Sequence, residues 1–176
     1  MKKELGLWQF GGFVFTVVVG TILHFLYGWT KNVGVAALSA VNESTWEHMK
    51  LAFLPAFAFA CIQSKYFVEE YKGFWWVKWL GILATTVLIP VLFYTYNGAF
   101  GKSPDWLNIL FFFIAVAFGY FLEYISLRKG GLPWKTSWVA ILVLLAILCL
   151  FILFTYLTPT LPIFQDPITK GYGLWG

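Results

Sequence analysis

The stretch Trp134-Lys-Thr-Ser-Trp-Val-Ala-Ile-Leu-Val-Leu-Leu-Ala-Ile-Leu-Cys-Leu-Phe-Ile-Leu-Phe-Thr-Tyr156 decides the fold class. From Val139 to Phe154 it carries no charged side chain. A run of ~20 apolar residues crosses a bilayer as a helix, because only a helix satisfies every backbone polar group within one segment. Trp134 and Trp138 at one end and Tyr156 at the other suit the two membrane interfaces, where amphipathic rings settle.

Working outward, four more runs of this kind occupy 6–28, 42–63, 74–96 and 106–127. The expected fold is therefore an all-α, polytopic transmembrane helical bundle of five spans, forming one domain over 1–176 with a tail at 158–176. Composition agrees: of 176 residues, 60% are hydrophobic and only 11% charged, against about a quarter in a soluble domain. Pro55 and Pro90 predict kinks in spans two and three. Met1-Lys2-Lys3 before the first span resembles a signal peptide, but the run is too long and lacks a small-residue cleavage site.

The net charge of +4 does not indicate a nucleic-acid partner, because the basic residues are scattered over loops. They report topology instead. Lys2, Lys3, Lys65, Lys72, Lys78, Arg128, Lys129 and Lys135 fall on one side, while Lys31, Lys102 and Lys170 fall on the other. The richer side is expected to be cytoplasmic, with the N-terminus inside and the C-terminus outside, in a multi-pass protein of the cell membrane. The lipid bilayer is its first partner. A homodimer is the expected assembly if so few spans are to transport anything.

Against this apolar background, Ser39-Ala-Val-Asn-Glu-Ser-Thr-Trp-Glu-His-Met-Lys50 is unusually rich in ionisable groups. Glu43 and Glu47, four apart, are expected on one helix face, with Lys50 able to pair with Glu47. His24, near the outer end of span one, should lie at the depth of Glu47 and His48. His24, Glu43, Glu47 and His48 are thus the candidate ligands. Asn42, Lys50, Tyr27, Asn97, Asp105 and Asp166 are expected to line an outward-facing polar cavity beside them. The plainer reading is a capping box, Ser44-x-x-Glu47, with packing histidines and a lysine that only neutralises a carboxylate. Glu123, near Arg128, reads as a snorkelled surface pair. Cys61 and Cys149 fall at different depths, so they should be unbridged, small buried hydrophobes.

Through Asn42-Glu43-Ser44-Thr45-Trp46-Glu47-His48, the chain resembles a family of small bacterial membrane proteins known only as a domain of unknown function. His24-Phe25-Leu26-Tyr27 and Asp166-Pro167-Ile168-Thr169-Lys170-Gly171-Tyr172-Gly173 belong to the same resemblance. It implies a bacterial inner or plasma membrane and no particular activity. Membrane hydrolases that hold zinc through three histidines fit poorly, since the chain has two and no His-x-x-x-His.

Three functions remain. Two imidazoles and two carboxylates suit a divalent metal (zinc, iron or manganese), with catalysis following if a ligand position stays open. The same pocket without metal could bind or transport a small polar or amphipathic molecule. The cluster could instead only order a loop in a structural or accessory subunit. A haem held between His24 and His48 is a minor fourth reading.

Overall fold

The computed structural model describes residues 2–134 and 136–175, with side chains from Glu4 onward. Lys2, Lys3 and Lys135, counted above as topology signals, have side chains outside the described residues. The helices are α1 (Lys2–Thr30), α2 (Val33–Ala36), α3 (Thr45–Phe67), α4 (Phe74–Phe100), α5 (Asp105–Arg128) and α6 (Ser137–Tyr156). A 3-10 turn, Pro162–Phe164, follows. Among the described residues there is no strand, only the isolated bridges Lys72–Gly131 and Gln165–Tyr172.

α1, α4, α5 and α6 are each long and apolar enough to cross a membrane, as in a membrane protein. Their outward faces carry large apolar side chains at helical spacing. On α1 these are Leu7, Phe10, Val14, Val18, Ile22 and Phe25; on α5 they include Ile109, Phe113 and Phe121. α3 is the helix around which the others pack, touching α1, α4 and α6. Its composition is less apolar because its polar residues Glu47, Lys50 and Gln63 point inward and are buried. α4 and α5 approach closely through small residues: a Cβ on Gly119 would collide with Thr85 and the Gly81 carbonyl, and one on Gly81 with Glu123.

Several expectations change. The helix after the first connection begins at Thr45, not Asn42, because Ser44 takes the extended N-cap conformation and accepts a hydrogen bond from Glu47 N at 3.4 Å. Glu43 therefore lies before the helix and shares no face with Glu47. The capping box is half formed, since Ser44 N donates to Asn42 Oδ1 instead of to Glu47. α3 and α4 continue past Pro55 and Pro90 without a break in the helix. Cys61 and Cys149 are free, as expected, but exposed on the outer faces of the bundle and not buried. Glu123 is no surface residue: it is 3% exposed and paired with Lys78 across α4 and α5. The tail is docked, with Phe164 buried against Trp46 at 4.7 Å between ring centroids.

The alternating helices leave two ends. One carries the α1–α3 connection, the α4–α5 turn and the tail; it is called the histidine end below. The other is sewn by Leu132 N donating to Lys72 O at 2.9 Å.

Candidate functional site at the histidine end

The connection between α1 and α3 folds back onto the bundle. α2 is capped by Asn32, whose side chain accepts from Gly34 N and Val35 N, and Ala36 behind it is fully buried. Ser39, also fully buried, donates its hydroxyl to Leu23 O at 2.5 Å and accepts from Tyr27 N at 2.8 Å. Those two backbone groups stand four residues apart and pair with each other in an uninterrupted helix. Ser39 thus bonds α1 on either side of His24. Ala40 N adds a bond to Leu23 O at 3.3 Å. The connection is thus clamped to α1 one residue from the histidine.

Two polar groups result, back to back. The buried one is Glu47 and Lys50, 2.7 Å apart and at most 2% exposed. Lys50 Nζ also donates to Ala36 O (3.0 Å) and Thr155 Oγ1 (2.8 Å). Glu47 accepts from Val41 N at 3.2 Å and from Thr155 Oγ1 at 3.3 Å. A buried charge is tolerable only when paired and hydrogen-bonded, and here both partners are. The pair ties the connection, α3 and α6 together. Thr155, which the apolar pattern of α6 hides, is the shared hydroxyl.

The second group is His24, Glu43 and His48, each partly exposed. The Nε2 atoms of His24 and His48 each lie 3.6 Å from Glu43 Oε2. The two rings stand edge to face, 5.3 Å apart, and one ligand atom from each of the three residues falls within 4.8 Å of the others. His48 Nδ1 lies 2.9 Å from the Ser44 carbonyl, which can only accept. That bond puts a ring proton on Nδ1, so that in the neutral ring Nε2, on the Glu43 side, is the nitrogen free to act as a ligand. A separation of 3.6 Å is too long for a hydrogen bond. It is close to the spacing of about 3.3–3.5 Å between neighbouring ligands of a tetrahedral ion with bonds of about 2.0–2.2 Å.

The remaining candidates sit elsewhere. Asn42 holds the site loop, donating to Gly173 O of the docked tail at 3.1 Å. The Tyr27 ring lies under Lys31 Nζ at 5.5 Å. Asn97 closes the α4–α5 turn by accepting from Ser103 N at 2.8 Å. Asp105 opens α5. Asp166 is buried in the tail and accepts from Ile168 N and Thr169 N. None of these contacts reaches the two histidines.

No curated protein matches the chain, and no solved structure does. A family model described as "Family of unknown function (DUF6512)" matches residues 1–174, nearly every residue of the helices and tail just described. The chain therefore belongs to the DUF6512 family of unknown function.

Proposed function

We propose that the protein is a single-domain, five-span protein of the cell membrane that binds a divalent metal ion at its outer face through His24, Glu43 and His48. The fifth span is α3: its 23 residues extend roughly 34 Å, enough for a hydrocarbon core of about 30 Å. Its charges near the histidine end, Glu47 and Lys50, are paired inside the bundle and meet no lipid. The Lys and Arg asymmetry supports an N-terminus inside, which puts the histidine end outside.

The observation that carries the metal reading is the pair of 3.6 Å separations from one carboxylate oxygen to two imidazole nitrogens, one of them oriented by a backbone carbonyl. Two imidazoles and a carboxylate are the donor set of many catalytic zinc and non-haem iron(II) centres, which keep open positions for water or substrate. Glu47 is then a positioning residue, holding the segment from which Glu43 and His48 project.

Purified protein freed of metal should take up one equivalent of zinc or iron(II), read by elemental analysis after desalting. His24→Ala, His48→Ala and Glu43→Gln should each lower that affinity at least tenfold. Metal content at the level of the detergent blank, unchanged by all three substitutions, overturns the reading. A second reading keeps the same residues without metal. His24, His48 and Glu43 are 28%, 27% and 41% exposed, so a small polar molecule could reach all three. Binding of such a molecule to metal-free protein, lost in His48→Ala, would favour it.

A further inference from the structure

A second polar assembly lies toward the other end of the bundle. Gly12 of α1, Phe59 of α3 and Tyr120 of α5 meet at one level: a Cβ on Gly12 would collide with both rings. Those rings stand 6.3 Å apart. Tyr120 is held there by a 2.8 Å hydrogen bond between its hydroxyl and Thr16 Oγ1. One turn away from the histidine end, three and four residues along their helices, come Gln9 on α1, Gln63 on α3 and Glu123 on α5. α4 adds Lys78, whose ammonium lies 2.5 Å from Glu123 Oε2.

One polar residue from each of four helices thus reaches the same layer, and all are buried: Gln9 4% exposed, Gln63 0%, Lys78 1% and Glu123 3%. Lys78 and Glu123 neutralise one another. The amide nitrogen and oxygen of both Gln9 and Gln63 have no hydrogen-bond partner. Buried amides without partners are costly, and leucine would fill the same space without that penalty. A groove between α1 and α5 leads to this layer from the lipid-facing side. It is lined by Gly6, Gln9, Phe10, Phe13, Tyr120 and Phe121, with Phe10 65% and Phe121 56% exposed.

We propose that this groove binds a neutral membrane amphiphile, its hydroxyl or carbonyl head on the Gln9 amide and its apolar chain along Phe10, Phe13 and Phe121. The head is neutral because the charges described in this layer, Lys78 and Glu123, already pair with one another. It carries a donor or acceptor because the Gln9 amide offers both. The chain lies in the groove because its walls are aromatic and open toward lipid. The assembly is independent of the His24, Glu43 and His48 site.

The test uses purified full-length protein and a hexadecanol carrying a photoreactive diazirine. Labelling should be saturable, should map to peptides spanning residues 6–13 and 117–124, and should be competed by hexadecanol but not by hexadecane. Gln9→Leu should lower labelling at least tenfold while leaving the melting temperature equal to or above that of the parent protein. Gly6→Leu, which fills the groove while keeping Gln9 in the sequence, should also lower it. Labelling that hexadecane competes equally well, or that survives both substitutions, overturns the proposal: the groove would then hold only bulk lipid. A Gln9→Leu protein less stable than its parent also overturns it, since the amide would then be a structural hydrogen-bonding group. Zinc uptake unchanged in Gln9→Leu keeps this outcome separate from that of the metal site.

Discussion

Lys50 is the most demanding residue in the molecule, an ammonium with no exposed surface held by a carboxylate, a carbonyl and a hydroxyl. Such a pair contributes little net stability over two well-packed apolar residues, yet removing one partner strands the other. Glu47→Ala should therefore destabilise the protein by about 3–5 kcal/mol, and so should Lys50→Ala. The double variant Glu47→Met with Lys50→Met should recover much of that loss. Thermal unfolding in detergent checks this, and a double variant no more stable than Glu47→Ala would contradict the buried-pair account. The proposed metal site should give the opposite pattern. Glu43 is 41% exposed, so Glu43→Gln should change metal uptake and leave the melting temperature near that of the parent.

At the scale of elements, the contact between α4 and α5 is set by glycine. Gly81 leaves room for the Glu123 carboxylate and Gly119 for the Thr85 hydroxyl, so the two helices pack closely enough for Lys78 to reach its partner. Gly119→Val should force the helices apart and cost about 1–3 kcal/mol by overpacking. Gly11→Ala is the matched control on a helix surface, since an added Cβ there meets nothing within 4 Å. It should be neutral or stabilising by up to about 1 kcal/mol, from helix propensity alone. Melting temperatures of the two variants in the same detergent compare the effects directly. The connection between α1 and α3 belongs to this scale as well. Ser39 on α1, Lys50 on the Ala36 carbonyl and Tyr156 Oη on Val33 O (2.7 Å) bind one short segment to α1, α3 and α6.

At the scale of the whole molecule, the question is which way the bundle sits in the membrane. With the native cysteines replaced by serine, Lys102→Cys in the α4–α5 turn and Lys129→Cys after α5 probe opposite ends. A membrane-impermeant maleimide applied to intact cells should label position 102 and not 129. The reverse would turn the histidine end toward the cytoplasm and the amphiphile groove toward the outer half of the bilayer.

The sequence by itself determined that the chain is helical and apolar, because unbroken hydrophobic runs the length of a bilayer leave the backbone no other solution. It also pointed to the segment around Asn42 to His48 and to its meeting with His24, because ionisable groups are rare enough in such a chain to stand out. It could not separate Glu43 from Glu47. That division depends on where α3 begins, and Ser44 capping Glu47 N moves the start past Glu43. Nor could it see Thr155, Lys78 with Glu123, or the two glutamines. None of them forms a motif along its own helix, and the meaning of each depends on which side chain stands opposite it on another helix. Only tertiary packing supplies that, and it turned a lysine read as a topology signal and a glutamate read as a surface pair into one buried ion pair.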